Sequence, residues 1–297
     1  MKLGVTFPQN IIGGSISTVR DFAQTAENLG YAHIVAYDHV LGVNPATYPD
    51  WKGPYTSVDL FHDPFTLFSY MAGITERIHF SPQIVILPQR QAPLVAKQAA
   101  SLDVLSGGRL RLGIGIGWNK VEYIALGENF HDRGKRSEEQ IAVMRALWAD
   151  PHVVFEGEHH TIPDAGINPL PTRPLDVWIG GGVDATYDRI GRMGDGWLNI
   201  YVAPEIVRTA LDKIHASAEK AGRDPSKIGL ECWVGMGGAT PEQWRKDIET
   251  WRDLGATHIT LNTVFNRGHI KPIEGRDVAT HLQAIEQYMA AVGDLFE

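Results

Sequence analysis

Along the chain, short unbroken runs of Val, Ile and Leu alternate with longer stretches in which apolar residues recur every third and fourth position. The first pattern is that of strands buried on both faces, and the second that of helices with one apolar stripe. The strand candidates are KLGVTF from Lys2, HIVAYD from His33, HFSPQIVILP from His79, LRLGIGIGW from Leu110, DVWIGGG from Asp176, GWLNI from Gly196, IGLECWVGM from Ile228 and HITLNTV from His258. Most successive starts lie about 30 residues apart, the size of one βα unit. The pattern predicts an α/β fold, a TIM-type (β/α)8 barrel forming one domain over residues 1–297.

Helix punctuation agrees with this spacing. Thr18 and Asp21 read as a capping pair ahead of Phe22, Ala23, Ala26 and Leu29, with Gly30 as the stop. Thr240 and Gln243 flank Pro241 ahead of Trp244, Ile248 and Trp251, and Pro204 opens a helix carrying Val207, Ala210, Leu211 and Ile214. Two connections outgrow the unit: GVNPATYPDWKGPYTS after strand two, and VVFEGEHHTIPDAGINPLPTRP after strand four and its helix. Read as loop insertions, both are expected at the C-terminal rim, where long segments shape or cover a site.

Composition narrows the function. A hydrophobic share of 43% and a charged share of 21% are ordinary for a soluble globular chain. The net charge of −8, without a clustered basic stretch, offers no positive field to nucleic acid or anionic lipid. Cys232 is the single cysteine, which excludes an internal disulfide and a CxxC redox pair. The opening MKLGVTFPQN reads as a strand and turn rather than a secretion signal, and no apolar run nears the roughly 18 residues of a membrane span. The expectation is a cytoplasmic protein acting on a small molecule, with neither nucleic acid nor membrane as partner.

In such a barrel the chemistry gathers at the carboxyl ends of the strands. No Lys stands there, which argues against Schiff-base chemistry. The 12 histidines show no ligand spacing, so no metal is expected. Gly180, Gly181 and Gly182 precede Asp184, an expected helix N-cap; the run is either a phosphate cradle or a tight strand-to-helix turn. Gly113, Gly115 and Gly117 share one face of strand four. Interior crowding explains Gly113, whereas Gly115 and Gly117 read as facing a flat ring. Asp38 and His39 end strand two, where they either position and protonate a substrate oxygen or satisfy loop amides. Trp51, Tyr55 and Phe61 either cap an apolar pocket or pack the insertion. HDRGKRSEEQ reads as a solvated helix start, which leaves Arg133 and Arg136 outside the site, and His159 and His160 are expected to be exposed in a hairpin.

Several segments together resemble the bacterial luciferase-like monooxygenase superfamily, specifically its deazaflavin-dependent oxidoreductases. They are YDH at Tyr37 to His39, VILPQRQAPLVAKQAASLDVLSGGRLRLGIGIGWNKVEY from Val85, VWIGGG from Val177, MGDGWL from Met193 and TPEQWRKDIETWRDLGATHITLNT from Thr240. The similarity runs through almost the whole chain, and LDVLSGGRL is its most specific block. It implies a barrel holding coenzyme F420, a 5-deazaflavin, or FMN in its mouth, with the ring near strands two to four and the phosphate at Gly180 to Gly182. On this resemblance Asp38, Gln83, Ile84, Gly115, Gly117 and the three cradle glycines serve the cofactor, His39 is catalytic, and Trp118 and Trp51 line the substrate. It also implies a bulge with a non-prolyl cis peptide at Gln83 and Ile84, and a homodimer.

One departure is informative. Members that dehydrogenate sugar phosphates place a Glu at the end of strand four and a Trp shortly after the strand-two His, whereas Trp118 and residues near Val43 stand here. This argues against sugar-phosphate oxidation. The resulting expectation is hydride transfer between F420 and a small apolar substrate. The alternatives are an FMN-dependent two-component monooxygenase using O2, and a non-catalytic cofactor carrier motivated by the absence of a strong acid beside the ring.

Overall fold

A computed structural model describes residues 1–296. Its strands are β1 (Lys2–Thr6), β2 (His33–Ala36), β3 (His79–Pro82), β4 (Val85–Ile86), β5 (Leu112–Gly115), β6 (Val153–Glu156), β7 (Thr161–Ala165), β8 (Val177–Gly180), β9 (Gly196–Leu198), β10 (Gly229–Val234) and β11 (His258–Leu261). Nine of them form one parallel sheet in the order β3-β2-β1-β11-β10-β9-β8-β5-β4. Its two ends are halves of one barrel strand. Phe80 N donates to Arg109 O at 2.8 Å and Arg111 N to Phe80 O at 3.0 Å, while Val85 pairs with Ile114. β3 and β4 therefore both lean on the β5 segment and close the barrel. The expected continuous strand from His79 is thus interrupted, and the break falls at the cis Gln83–Ile84 peptide.

The strands are short and buried on both faces, inward against the barrel axis and outward under helices. The helices are α1 (Gln9–Ile12), α2 (Ile16–Leu29), α3 (Pro64–Gly73), α4 (Ala92–Ser106), α5 (Lys120–Ala125), α6 (Arg133–Ala149), α7 (Asp184–Met193), α8 (Pro204–Lys220), α9 (Pro241–Asp253) and α10 (Val278–Val292). α9 begins as expected, with Thr240 accepting from Gln243 N and Pro241 in the first turn. α2 begins earlier than the apolar pattern suggested: Ser15, not Thr18, is the N-cap, accepting from Thr18 N at 3.2 Å. Ile16 is 73% exposed, so the apolar stripe starts a turn later than the helix itself. Gly30 stops α2 at φ +89°, where glycine alone is unstrained. Among the described residues no helix is long and apolar enough to cross a membrane.

The two insertions differ in place. Residues 40–63 follow β2 and lie over the mouth. The second insertion follows a helix, so it starts and ends at the N-terminal end of the barrel, contrary to expectation. Thr172 is bound to Asp103, and Arg173 donates to the carbonyls of Gly108 and Leu110, just before β5. Within it β6 and β7 pair as an antiparallel hairpin. The hairpin's His159 and His160 are half-buried rather than exposed, because Glu139 on α6 accepts from His159 N at 2.8 Å and lies 2.7 Å from His160 Nδ1.

Candidate active site

The end of β2 delivers Tyr37, Asp38 and His39 to the mouth. The His39 ring lies on Tyr55, with centroids 3.6 Å apart and planes tilted by 33°, and meets the Phe61 ring edge-on at 4.9 Å. Its Nδ1 faces Glu122 Oε1 at 3.6 Å, a charge contact slightly too long for a formed hydrogen bond. Nε2 has no hydrogen-bond partner among the described residues. Glu122 is wholly buried on α5, a helix capped by Asn119, and accepts from Val40 N at 3.0 Å, Leu41 N at 3.3 Å and Tyr55 Oη at 3.1 Å. Burial works to raise its carboxyl pKa, but His39, the Leu41 amide and the Tyr55 hydroxyl outweigh it and hold the group below its ordinary value. Burial also pushes the Tyr55 hydroxyl far up, so it remains a protonated donor.

Glu122 was not singled out from the sequence, although it stands in the segment WNKVEY. The strand-end rule stops at Trp118, and nothing local says that the first turn of the next helix points inward. Its presence removes the premise of the carrier reading, namely that no strong acid lies near the site.

Asp38, expected to serve the cofactor, has its carboxylate engaged by the protein itself. Its buried carboxylate accepts from Ile86 N at 3.1 Å and from Arg90 Nη2 at 2.7 Å, and Arg90 also pairs with Asp63 at 3.1 Å. Asp38 thus ties the chain after the bulge to the end of β2. Trp51 and Trp118 do come together, with ring centroids 5.6 Å apart, and Tyr55 meets Trp118 at 5.5 Å. Trp51 Nε1 donates to Tyr55 O at 2.8 Å, and a Cβ on Gly53 would sit 2.5 Å from both indoles. The insertion is therefore a strap held tightly against the strand-four end, with Trp118 still 44% exposed to the mouth.

Gln83 and Ile84 point in different directions. Gln83 Oε1 accepts from Trp233 Nε1 at 2.9 Å and its Nε2 donates to Glu231, so its side chain belongs to the barrel interior. The Ile84 side chain lies between Gly115 and Gly180, where an added Cβ would meet it at 2.8 Å in each case. The missing Cβ of Gly115 leaves room for Ile84, a packing reason for the glycine beside the expected ring-facing one. Gly117 adopts φ +61° over Ile86, a turn requirement. Gly113 meets the Pro82 carbonyl, in line with a crowded interior.

At the β8 end, Trp197 Nε1 donates to Gly181 O at 2.8 Å and Tyr201 Oη to Gly182 O at 2.5 Å. These contacts hold the carbonyls, and the amides of Gly182, Val183, Asp184 and Ala185 are left without an acceptor among the described residues. A Cβ on Gly182 would lie 2.5 Å from the Tyr201 ring. Asp184 is not the N-cap; Val183 is, and the Asp184 carboxylate is drawn to Lys213 Nζ at 2.6 Å. Free amides at the start of a ten-residue helix suit a phosphate, so the cradle fits the group implied by the resemblance.

Residues 1–236 match the family profile described as luciferase-like monooxygenase. An uncharacterized protein of Mycobacterium tuberculosis is 32% identical over 251 residues, 80% of this chain and 82% of that one. The F420-dependent glucose-6-phosphate dehydrogenase of Kineococcus radiotolerans is 27% identical over 279 residues, covering 90% of this chain and 76% of its own. The FMNH2-dependent dimethylsulfone monooxygenase of Pseudomonas putida is 31% identical over 178 residues, covering 58% and 48%. In fold, the coenzyme F420-dependent tetrahydromethanopterin reductase of Methanopyrus kandleri superposes with a TM-score of 0.77 over 100% of this chain and 99% of that one, at 16% identity.

Proposed function

Since the chain belongs to the luciferase-like monooxygenase family, we propose that it is an oxidoreductase exchanging hydride between coenzyme F420 and a small, uncharged, largely apolar organic substrate. The observation that carries this reading is the His39–Glu122 pair facing a cage of aromatic rings. Arg90, beside Asp38, is committed to Asp38 and Asp63. Uncharged aromatic walls favour an apolar substrate over a sugar phosphate, although one relative is a glucose-6-phosphate dehydrogenase.

The amides of Gly182 to Ala185 would hold the cofactor phosphate, and the Ile84 side chain would back the ring beside Gly117. When bound, the deazaflavin supplies or accepts the hydride. His39 Nε2 handles the matching proton at the substrate oxygen, giving it in reduction and taking it in oxidation. Glu122 stabilises the charged imidazole through Nδ1 and orients the ring. Trp51, Tyr55, Phe61 and Trp118 bury the apolar body of the substrate and keep water from the reacting atoms.

A second reading, reduced FMN with O2, draws support from the outlet of the cradle. The cavity beside Gly182 is lined by Asp184, Glu205 and Lys213, two acids against one cation. Such a lip suits a single phosphate better than a longer anionic tail. Titration of the apoprotein with each cofactor, followed by absorbance, decides between them. The first reading expects F420 to bind and Gly182→Ala to abolish binding; tight FMN binding with none of F420 moves the assignment to the second. Full turnover in His39→Ala would remove the proton role from His39 while leaving the cofactor assignment standing.

A further inference from the structure

The end of the barrel opposite the mouth carries an unassigned cavity of about 260 Å³. At roughly 30 Å³ per water it has room for a small ion with its hydration. The lining groups come from the first residues of several strands, among them Lys2, His79 and His258, with Arg111, Arg173 and Asp176 completing the wall. Lys2 and His258 are register partners across β1 and β11, and His79 pairs with His33 across β2 and β3. Sequence positions far apart are thus brought to one rim.

The wall carries three cations, Lys2, Arg111 and Arg173, and one acid, Asp176; behind the wall Glu231 pairs with Arg111, and Asp103 lies 3.9 Å from Arg173. Among the described residues Lys2 has no ion-pair partner, neither ring nitrogen of His79 has a hydrogen bond, and His258 uses only Nδ1, on Thr257 Oγ1 at 2.9 Å. Arg111 is stacked over Trp178 at 4.3 Å and paired with Glu231, which fixes it in place. Burial and the charges of Lys2, His33, Arg173 and Arg109 hold His79 down at about 4, and burial with Arg111 and His33 holds His258 at about 2. Burial is the larger cause for both rings, and an anion in the cavity relieves the cationic remainder. A metal is the poorer occupant, since no three His, Cys, Asp or Glu side chains converge as a ligand set among the described residues.

We propose that this cavity is a second ligand site, for a small oxyanion of the phosphate class held by Lys2, His79 and His258. The test is proton NMR of the His79 and His258 ring Cε1–H signals in the full chain, assigned with His79→Gln and His258→Gln. The protein is titrated with inorganic phosphate, against sodium chloride at matched ionic strength. Saturable shifts with phosphate alone are expected, with His79 titrating closer to an ordinary histidine once phosphate is bound. Lys2→Met should weaken the affinity by about tenfold, the loss of one charge-assisted contact, and Asp176→Asn should strengthen it. Both residues are exposed, so neither change threatens the fold. Gly182→Ala, which removes the cradle at the other end, should leave these shifts unchanged. The same unsaturable drift in phosphate and chloride, or saturation indifferent to both Lys2→Met and Asp176→Asn, overturns the proposal.

Discussion

Glu122 shows how much one buried side chain organises here. Its carboxylate fixes the backbone that follows His39, the Tyr55 hydroxyl and the charge beside Nδ1. Glu122→Gln keeps the acceptor for Val40 and Leu41, and Tyr55 can reverse its hydroxyl, so the fold should survive. The charge that stabilises the imidazolium is lost. Steady-state kinetics should show kcat lower by about ten- to a hundredfold, within what acid–base catalysis contributes, with KM and the urea midpoint nearly unchanged. Two glycines of β5 make a second contrast. Gly113 abuts a backbone carbonyl that cannot move, so Gly113→Ala should cost about 1–3 kcal/mol of stability in urea unfolding. Gly115 abuts the far end of Ile84, which can rotate away. Gly115→Ala should therefore cost little stability and instead weaken cofactor binding, as Ile84 is displaced; an equal loss of stability in both variants would contradict this reading.

At the scale of elements, the strap of residues 40–63 is what turns a barrel mouth into a cage. It has no regular structure of its own and is held by aromatic contacts and by hydrogen bonds to Glu122. Trp51→Ala removes the largest of its anchors, in a class of side chain that buries about 150–250 Å². KM for an apolar substrate should rise roughly tenfold with a smaller change in kcat, the signature of lost uniform binding. A fall in kcat alone would place Trp51 outside the substrate cage. The elements themselves were largely readable: strand starts, the Thr240 cap and the Gly30 stop are local signals. The N-cap of α2 was misread because exposed Ile16 carries no apolar periodicity, and Asp184 because a helix start one residue earlier leaves the same composition.

For the whole molecule, the barrel interior and its N-terminal end hold charge that folding must keep in one protonation state. His79 and His258 are neutral in the fold, held at about 4 and about 2, whereas in the unfolded chain each takes a proton near 6.5. Between pH 6.5 and 4 the unfolded state binds more protons, so stability is complete above that window and declines as pH falls through it. The urea midpoint should drop across this range, and His79→Gln should flatten the slope; a midpoint independent of pH in the parent protein would contradict the assignment. The sequence by itself determined the barrel, the strand ends that form the mouth and the glycine run that follows β8. Each of these is written in periodicity and punctuation over a few residues. Only the tertiary structure decided that Glu122 backs His39, that Gly115 seats Ile84, that Asp38 serves Arg90, and that the second insertion belongs to the opposite end. Those pairings join residues distant along the chain, and the energy that selects them, burial and charge compensation across the closed barrel, leaves no trace in any local window.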